Sequence, residues 1–486
     1  MKPQLTKLVT GFGIALLLLI ANLTYLQVFE ANSLNNRADN KRSLFKQYDI
    51  DRGAIIVSGQ PVAYSDKTTG RFKFERRYVS PAFTHPVGYL SSIYGVAGIE
   101  QSENQLLSGA ADALAIDRLR QLLDGGARRG GSVELTLNGP AQQLAYQLLG
   151  NRIGAVVAID PRTGKILVSA SSPSFDANLL ATTNAKTMQE SWNKLVSDPA
   201  QPLLNRASGE TWAPGSTFKL IVAAAALESG QYDLTTKIPA PAQYQVPESS
   251  RKISNWQNAP CSAAGEVTLE EAMIVSCNTA FARLGVELGE ARILRTAKAF
   301  GFDENFSLAN TSRSTFPTDL SNIELALSAL GQFDVKATAL QMALVAAGIG
   351  NEGVVMQPKL INRSFAPNLT LLSQADSDVF NRAIKPVTAA ALTQMMTKVV
   401  SAGTGTAAQI ANTAVAGKTG TAQTKPGFTP HAWFIGFAPA AAPNVAIAVV
   451  LAGGEVAVAG AGAEISGNQL AAPIAQKVLV ELLRRK

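Results

Sequence analysis

The sequence predicts an α/β protein, with a small β-rich module ahead of its main domain and one apolar span ahead of both. Three observations carry this. β-rich runs lie near both ends of 140–486 and enclose a long stretch of helical periodicity. Short alternating runs separated by polar turns fill 36–139. One apolar stretch, Leu8 to Val28, is long enough to cross a bilayer at 1.5 Å of rise per residue. Neither end of 140–486 holds enough strands for a stable sheet, so strands from both ends must meet in one.

Composition narrows the class. The chain has 486 residues, 47% of them hydrophobic, with 39 Gly and 23 Pro. That suits a globular protein with a sizeable core and excludes collagen, coiled coil or disorder as whole-chain descriptions. Two Cys exclude a disulfide-dense scaffold and the multi-Cys zinc motifs, and two His leave little for a His-based metal centre. No metal and no cofactor is expected. A net charge of +7 favours anionic surroundings: nucleic acid, lipid head groups or an anionic wall. The densest basic piece, Arg71 to Tyr78, alternates charged and apolar side chains. It reads as a strand with one charged face, not as a stacking platform for bases. No nucleic-acid partner is expected.

Lys2 and Lys7 precede the apolar span. Positive flanks stay cytoplasmic, which places the bulk of the chain outside. Phe29 and Ala31 make a poor cleavage pair, so the span reads as an uncleaved single-pass anchor within 1–35 and not as a signal peptide. In an oxidising compartment Cys261 and Cys277 are candidates for a disulfide. Its short loop would be worth about 3 kcal/mol in the chain-entropy model. Two buried free thiols are the alternative.

The elements follow in order. Strands are expected at Ala54–Val57, Arg71–Val79 and Val133–Leu137, with a helix near Ala110–Leu123. Gly125, Gly126, Gly130 and Gly131 flank a basic pair in a surface loop. A helix spans Pro140–Leu149, with Pro at a permitted first-turn position. A hairpin pairs 154–160 with 165–170 around the turn Pro161-Arg162-Thr163-Gly164. From about 216 to 400 the pattern is helical, at Leu220–Leu227, Leu269–Val275, Ala280–Leu288, Ala337–Ile349 and Ala389–Val400. A Pro-rich loop, Ile238 to Pro260, interrupts it. Strands return at Ala414–Thr421, Ala432–Ala438 and Val445–Leu451, and a helix closes the chain at Asn468–Arg484.

Three short motifs carry the chemistry. In Pro214-Gly215-Ser216-Thr217-Phe218-Lys219, a Ser-x-x-Lys spacing puts both side chains on one helical face. At a helix N-terminus the backbone N–H groups favour developing negative charge. Ser216 can be a nucleophile there, with Lys219 as proton acceptor if burial lowers its pKa. Other Ser-x-x-Lys matches occur, but only Ser216 follows Pro-Gly and opens an apolar helix. In Ser276-Cys277-Asn278, a hydroxyl and an amide can both face a cleft from a turn between helices; Ser276 as a plain helix cap is the alternative. Lys418-Thr419-Gly420-Thr421 lies in a β-run. A cation, hydroxyls and a glycine on a strand edge suit an extended peptide ending in a carboxylate. Asn412 to Thr419 resembles a phosphate loop, but the first Gly is missing and no helix follows. No Gly-x-Ser-x-Gly elbow surrounds Ser216, and His431 precedes an apolar strand, so a Ser-His-Asp triad is the weaker serine chemistry.

Taken in order, the three motifs resemble those of the penicilloyl serine transferases. Asn205-Arg206-Ala207, Ala155 to Asp176, His431 to Phe437, Arg52-Gly53-Ala54-Ile55 and Gly98-Ile99-Glu100 extend the resemblance to the class B penicillin-binding proteins, closest to the actinobacterial A type. It covers nearly the whole chain; Trp212 stands where the family often has Tyr. The resemblance implies a five-stranded antiparallel sheet flanked by helices, plus an all-helical lobe, over 140–486. The module 36–139 would then be a pedestal of dimerisation-domain type. It also implies a monofunctional D,D-transpeptidase that cross-links peptidoglycan stem peptides through an acyl-enzyme on Ser216 and is inhibited by β-lactams. Lys219 would take the serine proton. Ser276 and Lys418 would protonate the leaving D-alanine, and Asn278 would hold the substrate amide and orient Lys219. The backbone N–H groups of Ser216 and Thr421 would form the oxyanion hole. Thr419 and Thr421, beside Gly420, would bind the carboxylate. A SEDS-family glycosyltransferase would be its membrane partner.

The rival readings fare less well. A β-lactamase would be smaller and would need a deacylating carboxylate. A class A bifunctional protein would need a glycosyltransferase domain larger than 36–139. A β-lactam sensor would be expected to carry a cytoplasmic signalling portion. A D,D-carboxypeptidase uses the same motifs and differs in acceptor alone. A scaffold with dead motifs is opposed by three intact ones.

Overall fold

The computed structural model describes residues 2–30, 47–69, 72–123, 128–306, 308, 311–423, 429–453 and 466–484. Arg71, Gly125 and Gly126 lie outside them. The N-terminal helix, Lys2–Thr24, runs on as a wider π turn at Tyr25–Phe29. Its segment Leu5–Phe29 is apolar, long enough to cross a membrane, and not buried by any of the described residues.

The pedestal is built on β1 (Ile55–Val57), β2 (Gln60–Lys67), β3 (Phe74–Tyr78) and β4 (Ser132–Leu135). β3 is shorter than expected and alternates in burial, with Glu75 and Arg77 on the outer face as the charged-face reading expects. The buried face carries Arg76 between Phe74 and Tyr78 and is not wholly apolar. The helix in this module is shorter than expected: a 3₁₀ turn covers Asp112–Leu114 and the α-helix spans Ala115–Leu123.

The main domain opens with α1 (Gly139–Leu149), capped by the Asn138 side chain on the Ala141 N–H. β5 (Gly154–Ile159) and β6 (Ile166–Ser172) form the expected hairpin. The helical lobe follows, with α2 (Lys219–Glu228), α3 (Leu269–Ile274), α4 (Asn278–Leu288) and α5 (Ala339–Gly350). Next come β7 (Ile361–Phe365), β8 (Leu371–Gln374) and α6 (Pro386–Ala402). β9 (Ala416–Ala422), β10 (His431–Ala438), β11 (Val445–Leu451) and α7 (Gly467–Leu483) complete the chain.

The strands from the two ends do meet. Their order is β9-β10-β11-β5-β6, and each pair is antiparallel. Along β11, Ala446, Ala448 and Val450 face the core shared with the helical lobe, while Ile447, Val449 and Leu451 face the core shared with α1 and α7. This period-2 division puts helices on both faces. α5 is apolar but for Gln341 because it is buried all round, with every residue from Ala339 to Ile349 inside and Gln341 Nε2 donating to the Phe300 carbonyl at 2.7 Å.

Two readings need correction. The stretch 216–400 is not wholly helical: strands occupy Val354–Met356, Ile361–Phe365, Leu371–Gln374 and Val379–Arg382. β7 pairs with β4 of the pedestal, Ile361 opposite Leu135, and makes one six-stranded sheet, β8-β7-β4-β1-β2-β3. The expected "loop" 238–260 also holds short paired strands, Gln243–Gln245 with Lys252–Ser254. Both cases involve strands of three to five residues, too short for their periodicity to stand out.

Candidate active site

The nucleophile candidate sits where a helix begins. Ser216 lies in a 3₁₀ turn, Gly215–Thr217, that leads into α2. Gly215 adopts φ +55, and a Cβ there would sit 3.0 Å from the Thr421 carbonyl oxygen. Only glycine allows the turn to press this close to β9. Trp433 on β10 donates from Nε1 to the Ala213 carbonyl at 3.0 Å and holds the approach to the turn. Ser216 is half-buried and Lys219 fully buried.

The second wall is the turn between α3 and α4. Ser276 is in the left-handed region, φ +58, an uncommon conformation for a side chain that is not Gly, Asn or Asp. Its hydroxyl caps nothing; the N-cap of α4 is Cys277, without a side-chain hydrogen bond. The conformation turns the hydroxyl into the cleft. Lys219 Nζ donates to the Ser276 carbonyl (2.8 Å), to Asn278 Oδ1 (2.7 Å) and to Ser276 Oγ (3.3 Å). The Phe281 ring lies under the same Nζ at 5.6 Å.

The third wall is β9. Lys418 Nζ donates to Ser276 Oγ at 2.9 Å and to the Thr419 carbonyl at 3.0 Å. Thr419 is buried, and Thr421 is exposed at the end of the strand. A Cβ on Gly420 would lie 2.8 Å from the Pro214 carbonyl and 3.0 Å from Thr217, which explains glycine at that position. So the structure brings Ser216, Lys219, Ser276, Asn278, Lys418, Thr419, Gly420 and Thr421 around one cleft.

Electrostatics follow from burial. Removal from water, and then the charge of Lys418, hold the Lys219 pKa well below the ordinary lysine value. Burial pushes Lys418 down to about 7. Burial pushes His431 down to about 4, and its Nδ1 accepts from the Gly453 N–H at 2.9 Å. That histidine is neutral and structural.

The Ser-x-Asn turn is tied down from outside. Cys261 and Cys277 form a disulfide with Cα atoms 5.9 Å apart. Asn278 Nδ2 donates to the Ser254 carbonyl (3.3 Å), and Asn255 exchanges two hydrogen bonds with Thr279 (2.9 and 3.0 Å). The motifs did not disclose Asn255 or Phe281. Nor did they disclose Thr404, whose Oγ1 accepts from the Thr419 hydroxyl at 2.9 Å.

Residues 154–479 match the penicillin-binding protein transpeptidase domain family, and residues 52–133 match the penicillin-binding protein A dimerisation domain. The chain belongs to the penicillin-binding protein transpeptidase family. The peptidoglycan D,D-transpeptidase PbpA of Mycolicibacterium smegmatis is 39% identical over 100% of this chain and 99% of its own. Its counterpart in Mycobacterium tuberculosis is 38% identical over 96% of each chain. Among solved structures, the ceftriaxone acyl-enzyme of M. tuberculosis penicillin-binding protein A superposes with a TM-score of 0.85. It is 36% identical and covers 90% of this chain and 99% of that one. The penicillin G acyl-enzyme of the same protein gives 0.83, at 36% identity over 90% of this chain and 100% of that one. This penicillin-binding protein therefore shares both its pedestal and its transpeptidase fold with a protein solved as β-lactam acyl-enzymes.

Proposed function

We propose that this protein is a peptidoglycan D,D-transpeptidase working through Ser216, as the actinobacterial relatives named PbpA are described. The observation that carries the reading is the meeting of two buried lysines on one hydroxyl, Ser276, beside a serine at a helix start. Lys219, whose pKa burial and the charge of Lys418 lower, acts in its neutral form. That form keeps two of its three hydrogen bonds and turns a lone pair to Ser216. It takes the Ser216 proton as Oγ attacks the penultimate carbonyl of a stem peptide ending in D-Ala-D-Ala. The backbone N–H groups of Ser216 and Thr421 hold the oxyanion, worth about 3 kcal/mol per donor. As the C–N bond breaks, the Ser276 hydroxyl gives its proton to the departing D-alanine amine and regains one from Lys418. An amine of a neighbouring stem peptide then attacks the acyl-enzyme, its proton passing through Ser276 to Lys418. The C–O bond to Ser216 breaks as Lys219 returns the proton to Oγ, which forms the cross-link and frees the serine. Asn278 holds the substrate amide and keeps Lys219 aimed. Thr419 and Thr421, with Lys418 behind them, receive the terminal carboxylate.

In this reading residues 1–35 anchor the protein with Lys2 and Lys7 in the cytoplasm. Residues 36–139 form the pedestal, to which 361–374 lend two strands, and 140–486 carry the chemistry outside the membrane. A SEDS-family glycosyltransferase supplies the glycan strands, and the pedestal is the surface that meets it.

Intact-mass spectrometry after incubation with benzylpenicillin tests the reading. One penicilloyl adduct is expected, persisting for hours and absent from Ser216→Ala. An adduct that remains in that variant, or none in the wild type, refutes the assignment of the nucleophile. Rapid loss of the adduct would make the protein a β-lactamase.

A further inference from the structure

The Thr419 hydroxyl has one proton, and in this structure it is directed at Thr404, not into the cleft. Thr404 stands in the turn Gly403-Thr404-Gly405 that ends α6. The turn is fixed on both sides. The N–H groups of Gly403 and Gly405 both donate to the Val399 carbonyl, at 3.1 and 2.9 Å. A Cβ on Gly403 would lie 2.6 Å from the Ile274 carbonyl, at the end of α3 and two residues before Ser276. The turn is therefore wedged between the base of the Ser-x-Asn turn and the Lys-Thr-Gly strand, and its one side chain reaches Thr419.

We propose that Thr404 is a positioning residue for the substrate carboxylate, acting through Thr419. This rests on the carboxylate-binding role given to Thr419 above. For Thr419 to donate to a carboxylate, its proton must rotate away from Thr404. Its oxygen is then free to accept, and the Thr404 proton turns to meet it. The result is a chain, Thr404 to Thr419 to carboxylate. Each hydrogen bond in such a chain polarises the next, and a bond that ends on a charge is stronger than a neutral one. Without a bound peptide the pair is satisfied internally, so Thr419 is not left as an unpaired buried hydroxyl.

The test couples a protein hydroxyl to a ligand charge. The second-order acylation rate is measured for the full chain in detergent, with benzylpenicillin and with its methyl ester, which lacks the carboxylate. Thr404→Val is expected to slow acylation by the acid roughly tenfold, through loss of the hydrogen bond that backs the charge-assisted one from Thr419. With the ester it changes the rate no more than about twofold, because there is no charge to couple to. Thr404→Ser restores the acid rate to within about twofold. If Thr404→Val fails to fold, Thr404→Ala beside Thr404→Ser makes the same comparison. An equal loss with acid and ester, or no loss with either, overturns the proposal while the Thr419 reading stands. A wild type that reacts equally with acid and ester overturns both.

Discussion

In the pedestal, Arg52 and Arg76 lie on the carboxylate of Glu100, one on each oxygen at 2.6 Å, with about 1% of each side chain exposed. In the cleft, Lys219 and Lys418 are as deeply buried and meet on the hydroxyl of Ser276. Each place takes two cationic side chains out of water. In the pedestal a carboxylate balances them, and Tyr78 donates to the same carboxylate at 3.1 Å. Burial alone would raise the Glu100 pKa, but Arg76 and Arg52 outweigh it and hold the carboxyl below its usual value. The charges stay. In the cleft burial lowers the pKa of both lysines and the charge of Lys418 lowers that of Lys219 further, with no carboxylate among the causes. There the protons are held less tightly. The residue types match the purposes: a guanidinium cannot shed its proton in a protein, whereas a buried ammonium can. Arginine with glutamate fixes a structure, and lysine with a hydroxyl makes a proton movable.

The largest break in this contrast is Lys219→Arg. It keeps the positive end and much of the length but forbids deprotonation. Acylation by benzylpenicillin is expected to fall about a thousandfold, the general-base contribution, with Ser216 still in place. A loss under tenfold would mean that Lys219 is a fixed charge like the pedestal arginines.

Glu100→Gln makes the reverse change and leaves two buried guanidinium groups uncompensated. Breaking a buried ion pair in this way costs about 3–5 kcal/mol. The denaturant midpoint should drop accordingly, while the acylation rate of the protein that remains folded stays unchanged. A change in rate with no change in stability would place Glu100 in the catalytic path and not in the framework.

These contrasts were only partly legible in the sequence. The lysines, Ser216, Ser276 and Thr419 could be read because each motif is local: one helical turn, one tight turn, one strand. Burial of the lysines is tertiary, and the motif does not contain it. Arg52 and Glu100 could be quoted as motif residues, but their pairing spans 48 positions. The missed strand β7 carries Arg363, whose Nε reaches Glu134 on β4 at 2.6 Å across 229 positions. Its five residues alternate weakly, and pairing with β4 on one side and β8 on the other makes them a strand. Thr404 sits in a Gly-Thr-Gly sequence that resembles any turn. Nothing local marks its hydroxyl as the partner of Thr419.

The pH dependence sharpens the comparison further. Lys418 at about 7 must be protonated to recharge Ser276, so acylation should decline as pH rises through about 7. Lys219 must be neutral, so the rate should also fall at acid pH, and the two limbs belong to the coupled pair. Lys418→Arg should abolish the alkaline limb, since the guanidinium stays charged. Stability follows the opposite sense. Between about 7 and the ordinary lysine value the unfolded chain holds a proton at Lys418 that the folded one lacks, so folding is favoured as pH rises across that window. A pH-rate profile flat from 6 to 9 would contradict the shift.

The smallest effect expected is that of the Cys261–Cys277 bridge. The Ser-x-Asn turn already has polar ties: Asn255 to Thr279, Asn278 to Ser254, and the capping box of Thr268 and Glu271 at the start of α3. These should hold the fold when the bridge is reduced. What the bridge adds is a covalent tie at the residue between Ser276 and Asn278, the two partners of Lys219. A shift of a few tenths of an ångström there lengthens the hydrogen bonds that aim the lysine, and positioning errors of this kind lower rates steeply. Reduction is therefore expected to slow β-lactam acylation severalfold while the circular dichroism of the domain is unchanged. Equal rates in the reduced and oxidised protein would show that the polar ties alone set the turn. Loss of the folded signal on reduction would show that the cleft wall, like the pedestal, is held by its strongest single link.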